Sequence, residues 1–143
     1  MDVVFADVLD ALTKLKDFNW VDEDCGQFDI YEDPPVVFPC ALVSVHVPEW
    51  IAVKEPATQP GRVEVIIKLG FDVRIKTGNV NSTQITSAMG HFALVKKVTK
   101  AIRGKHGTTY RGLDRISTIK TITKFGIKIY NVTFSGTIVE SIT

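Results

Sequence analysis

The sequence predicts an α+β domain: a mostly antiparallel sheet of four or five strands, with two helices packed on one face. Three observations lead there. Residues 62–76 (RVEVIIKLGFDVRIK) place Val63, Val65, Ile67, Leu69, Phe71, Val73 and Ile75 at every second position. That period turns all seven to one side of a strand and would scatter them around a helix. Two other segments carry helical stripes instead. The chain also closes on two apolar-alternating runs separated by Phe125-Gly126, the pattern of an antiparallel hairpin. The order helix, strands, helix, strands suits helices gathered on one side of an antiparallel sheet. A length of 143 residues is that of one domain, spanning 1–143.

From the N-terminal end, Phe5, Val8, Leu9, Leu12 and Leu15 form a single helical stripe over residues 3–16. Asp2 is positioned as its cap, and Lys14 and Lys16 suit the negative end of the helix dipole. Residues 17–35 follow as an acidic irregular connection in which Phe28-Asp29-Ile30-Tyr31 is the candidate edge strand. Val36 to Val47 is a strand with two apolar faces, Ala41, Val43, Val45 and Val47 on one and Cys40, Leu42, Ser44 and His46 on the other. An interior strand has that texture, and Pro39 marks where it begins. Residues 48–61 contain three prolines and end in Gly61, so they predict a long loop or an extended hairpin arm carrying Trp50 and Ile51.

Beyond the central strand, residues 77–82 form a turn. A second helix starts near Thr83 or Ser87 and ends at Arg103, with Met89, Phe92, Val95, Val98 and Ile102 as its stripe and Gly104 as its stop. Residues 104–112 are a basic loop, and strands at about 113–125 and 127–142 complete the chain. Tyr130, Val132, Phe134 and Ile138 share one face of the last.

Charge is partitioned. Residues 1–60 hold twelve acids against three bases, a net of −9, and residues 61–143 hold fourteen bases against four acids, a net of +10. Folding the halves together neutralises them. A subunit with an acidic and a basic face is also suited to head-to-tail association or to a charged partner.

Known chemistries find little purchase. No apolar run approaches about 18 residues, so no membrane partner is expected, and the acidic N-terminal segment is unlike a signal peptide. A cytoplasmic product with reduced Cys25 and Cys40 follows. The acidic loop lacks the spacing of a calcium loop, and two lone cysteines give no zinc pattern, so neither metal nor cofactor is expected. Gly104-Lys105 fails as a phosphate loop because position 99 is Thr and the loop ends a helix. His46, His91 and His106 fall in separate elements outside any catalytic motif, so no catalytic residue is assigned. The candidate contact surfaces are the arm (Trp50, Ile51, Lys54, Glu55) and a basic helix face and loop (Lys96, Lys97, Lys100, Arg103, Lys105, Arg111, Arg115). With Tyr110 the sole aromatic of the loop, any DNA contact there would be to phosphates and without sequence preference.

The layout also resembles a known family. An N-terminal helix precedes the Pro-rich run Pro34-Pro35-Val36-Val37-Phe38-Pro39-Cys40-Ala41-Leu42-Val43. A long alternating strand leads to the helix Phe92-Ala93-Leu94-Val95-Lys96-Lys97-Val98. The chain ends with Gly126-Ile127-Lys128-Ile129-Tyr130-Asn131-Val132-Thr133-Phe134-Ser135-Gly136-Thr137. Over nearly its whole length this resembles the tail terminator (tail completion) proteins of long-tailed bacteriophages and prophages. The resemblance implies an α+β subunit of a homohexameric ring at the head-proximal end of the tail. Such a ring ends polymerisation of the tail tube protein, meets the head-tail connector protein and lets DNA pass. It implies a virion protein assembled in the bacterial cytoplasm. On this reading the arm touches a neighbouring subunit or partner, and Lys96, Lys100, Arg103, Lys105 and Arg111 face the channel or the connector. Two other readings remain: a head-closure or neck protein, and a small ligand-binding domain or enzyme.

Overall fold

In the computed structural model the described residues are 1–54, 57–73 and 82–142, with only the helical backbone described for 82–86. The elements are α1 (Asp2–Lys14), β1 (Trp20–Glu23), α2 (Gln27–Ile30), β2 (Cys40–Trp50), β3 (Thr58–Asp72), α3 (Ser82–Ile102), β4 (Tyr110–Ile122) and β5 (Ile127–Ser141). They build an open five-stranded sheet in the order β1-β2-β3-β5-β4. Every neighbouring pair is antiparallel except β1 and β2, which run parallel. The α+β class and the mostly antiparallel sheet are as the sequence predicts. The finer architecture has five strands, a third helix of one turn and one parallel pair.

The central strand behaves as its alternation demands. Val63, Val65, Ile67 and Leu69 are fully buried and Phe71 nearly so, on the side covered by α1 and α3. Arg74, Ile75 and Lys76, and residues 77–81 of the turn expected at 77–82, lie outside the described residues, and Ser82 already begins α3. On the same side, β2 contributes Ala41 and Val43, β5 contributes Tyr130, Val132, Phe134 and Ile138, and α1 contributes Val4, Val8 and Leu12. Burial of such side chains is worth roughly 1.5–3 kcal/mol each, so this layer holds the domain together.

The opposite side is covered over only part of its area. Phe28, from α2, packs with Cys40, Leu42, Ile127 and Ile129. Gly70 lies opposite Cys40 on one neighbour and Ile129 on the other. A Cβ there would fall 2.5 Å from the Phe28 ring and 2.9 Å from the Cys40 sulfur, so only glycine admits this packing.

Four local expectations are corrected. The edge strand is Trp20–Glu23, and Phe28 to Ile30 belong to the single turn α2. In that turn Phe28 packs into the small second cluster. Met1 is the N-cap of α1 and makes no side-chain cap bond; Asp2 stands in the first turn, where its carboxylate accepts from the Val3 amide at 3.0 Å. The buried stripe of α3 is Leu94, Val95, Val98 and Ile102, whereas Met89 and Phe92 are exposed. The second strand begins at Cys40, directly after Pro39, and continues to Trp50. Gly104 adopts φ 76° just past α3, the left-handed stop that glycine supplies. No helix among the described residues is long and apolar enough to cross a membrane.

Candidate assembly surfaces

The segment 48–61 is an arm rather than a loop. Strands β2 and β3 remain paired out to Trp50 and Gly61, across a bulge between His46 and Glu49. The Ile51 amide extends the ladder by donating to the Pro60 carbonyl at 2.9 Å. The bulge re-aims the strand tip, as such insertions do. A Cβ at Gly61 would lie 2.7 Å from the Trp50 ring, so the missing side chain creates the seat on which the indole rests. Trp50 is still 37% exposed, and Ile51, Val53 and Lys54 project into solvent. Glu55 lies outside the described residues. The arm therefore offers an apolar tip, with the tryptophan held by its own hairpin and open on one side.

The basic residues are divided among different environments. Lys96 and Lys100 are exposed on α3 and form no ion pair among the described residues. Lys97 binds Asp17 at 2.8 Å, and Arg103 Nε binds Asp114 at 2.9 Å. The Arg115 guanidinium donates to the Thr99 hydroxyl at 3.1 Å, tying β4 to α3. Lys105 is half-buried in the loop after the helix. Arg111 stands apart from α3. Its neighbour Tyr110 is buried on the helix side opposite Ile138, so strand alternation points Arg111 to the other side of the sheet. The structure thus gathers Lys96 and Lys100 on α3 with Arg103 just past its end, and removes Arg111 from that group. The ion pairs reduce the free positive charge that the sequence alone displays.

A third surface escaped sequence reasoning. On β4, Ile116, Ile119 and Ile122 are 57–58% exposed. The signal was present: Leu113, Ile116, Ile119 and Ile122 recur every third position, a period that no flat strand can turn to one face. The structure accommodates it with irregularities between Arg111 and Asp114 and between Arg115 and Ser117.

The histidines remain apart. His46 lies 3.6 Å from Glu64, His91 stacks on Phe71 at 3.8 Å between ring centroids, and His106 is exposed. Among the described residues no group of three His, Cys, Asp or Glu side chains could hold a metal ion. Neither thiol is tuned toward the thiolate. Burial pushes Cys40 up to about 12, and desolvation with the nearby Glu23 carboxylate raises Cys25.

The fold and these surfaces define an open-sheet α+β domain with a projecting arm, whose edge strands β1 and β4 have no outer neighbour among the described residues. No family model and no curated protein matches the chain. Among solved structures it is similar to a chain of the virion of a native gene transfer agent particle. The identity is 11%, the TM-score 0.47, and the match covers 96% of this chain and 92% of that one. At that TM-score the likeness is too slight to assign a function.

Proposed function

We propose that this chain is a structural virion subunit, the tail terminator of a long-tailed bacteriophage or prophage. It forms a homohexameric ring on the head-proximal end of the tail tube, stops tube growth and joins the tail to the head connector. The observation that carries this reading is the open sheet. Both edge strands, β1 and β4, lack an outer neighbour among the described residues, and the β2–β3 arm ends in exposed apolar side chains. Exposed edges of this kind are templates for another chain. The layout from the N-terminal helix to the final hairpin, which carries the family resemblance, is also retained in the fold.

On this reading Trp50, Ile51, Lys54 and Glu55 engage a neighbouring subunit or the tube protein. Lys96, Lys100, Arg103 and Lys105, on and beyond the helix layer, meet the connector. Arg111, on the open side of the sheet, is left for non-specific contact with passing DNA phosphates. The role is structural, with no cofactor and no catalytic residue.

The test is native mass measured over a range of concentrations, alone and with assembled tail tubes, with electron-microscope imaging of large species. The expected result is a closed ring in at least one condition, of about six subunits as the resemblance implies, since a heterologous interface whose rotation closes gives a ring. A chain that stays monomeric in both overturns the reading.

A further inference from the structure

The two bare edges of the sheet differ in charge, length and direction, and the differences are complementary. Edge strand β1 is Trp-Val-Asp-Glu, and neither Asp22 nor Glu23 forms an ion pair among the described residues. Edge strand β4 carries Arg111, Arg115 and Lys120 together with the exposed isoleucines. The split between an acidic first half and a basic second half of the sequence is therefore displayed at opposite ends of one sheet.

Direction follows from the pairings. β1 runs with β2, and each of the steps β2 to β3, β3 to β5 and β5 to β4 reverses direction. Hence β1 and β4 point opposite ways. If a second copy extends the sheet with its helices on the same side, its β1 meets β4 antiparallel. That is the pairing in which facing residues interact side by side.

The faces also agree. Val21 and Glu23 lie opposite Ala41 and Val43, on the helix side. Lys120 lies opposite Tyr130 on the helix side, and Ile122, two positions on, shares that face. A single antiparallel register sets Glu23 against Lys120 and Val21 against Ile122 at once, leaving Asp22 against Thr121 on the other face. Lys120 forms no ion pair among the described residues. Lys128 sits close by, and burial together with the Lys120 charge holds its ammonium below its ordinary value.

We infer that the β1 edge of one copy pairs with the β4 edge of the next, Glu23 against Lys120 and Val21 against Ile122. This inference rests on the reading of the chain as a ring subunit. The contact is heterologous, so repetition about an axis along the strands closes a ring. Pairing of β4 with a second β4 would instead bring two sets of Arg111, Arg115 and Lys120 together along one seam, and like charges across a sheet repel.

A charge exchange tests it, in whichever condition the wild-type chain assembles. Glu23 and Lys120 are exposed on edge strands, so their substitution spares the core. Glu23→Lys and Lys120→Glu are each expected to weaken subunit association at least about tenfold, and the double variant to restore it. Val21→Cys with Ile122→Cys, in a Cys25→Ser background, is expected to give disulfide-linked ladders up to the full ring. Single variants that assemble like the wild type, a double variant no better than the singles, or a species that stops at two subunits overturn the edge pairing. The first two of these results leave the ring itself standing. A wild-type chain that never assembles overturns the ring reading, and the edge pairing with it.

Discussion

The two sides of the sheet are built to different standards. On the helix side, alternate residues of β2, β3 and β5 meet α1 and α3 in a continuous buried layer. On the other side, one helical turn plants Phe28 over Gly70, while the remainder carries Ser44, His46, Glu64 and Asn131. The first side depends on long, redundant patterns; the second depends on a small cluster in which Phe28 stacks with Phe38 and on one missing Cβ. Stability is therefore concentrated in the helix layer.

The largest expected effect breaks the helix side. Phe134 is fully buried, opposite Val65 on β3 and Arg115 on β4. Phe134→Ala is expected to cost roughly 3–5 kcal/mol, through lost transfer energy and the cavity left behind. Urea denaturation measures it. A loss below about 1 kcal/mol would show that the layer is not tightly packed there.

A smaller effect is expected on the other side. Gly70→Ala introduces a methyl group 2.5 Å from the Phe28 ring, against a usual overpacking penalty of about 1–3 kcal/mol. Because α2 is a single turn, strain is relieved by lifting Phe28 away without disturbing the helix layer. Amide exchange is expected to accelerate over residues 24–31 while β3 and β5 stay protected. Adding Phe28→Leu to Gly70→Ala should recover part of the loss. Uniform acceleration across the sheet would show instead that the two sides fold as one unit.

The same contrast explains what the sequence could reveal. Long periods are legible: the alternation of β3 from Val63 to Phe71 and the shared face of Tyr130, Val132, Phe134 and Ile138 appear as expected, while the α1 stripe is displaced, with Val4, Val8 and Leu12 fully buried and Phe5, Leu9 and Leu15 at its margin. Short elements are not. A four-residue strand has no period to read, and β1 is fixed by its distant parallel pairing with β2, so the sequence pattern points to Phe28–Tyr31 instead. On α3 two apolar stripes lie side by side, and only packing selects Leu94 over Met89 and Phe92. Of the candidate surfaces, the arm with Trp50 and Ile51 is visible in the prolines around it. The basic face was overcounted, because the partners of Lys97 and Arg103, Asp17 and Asp114, are distant in sequence. The β4 edge was hidden by bulges that spoil its alternation.

Alkaline pH sharpens the comparison with the smallest effect. Cys40 lies beneath Phe28 on the less covered side, yet is fully buried, and burial pushes its thiol from 9.0 up to about 12. In the unfolded chain the thiol ionises near 9.0, while the folded chain keeps its proton until about 12. Between those values the unfolded state binds fewer protons, so stability falls as pH rises, by at most about 1.4 kcal/mol per pH unit. The contribution is fully present below pH 9. Tyr110, raised by burial and by its 2.6 Å bond to the Asp7 carboxylate, acts in the same direction at higher pH. Cys40→Ala should therefore flatten the loss of stability between pH 9 and 10 relative to the parent chain, whatever it costs at neutral pH. An unchanged slope would mean that water reaches the thiol, and that the Phe28 turn opens readily enough to leave this side of the sheet uncovered.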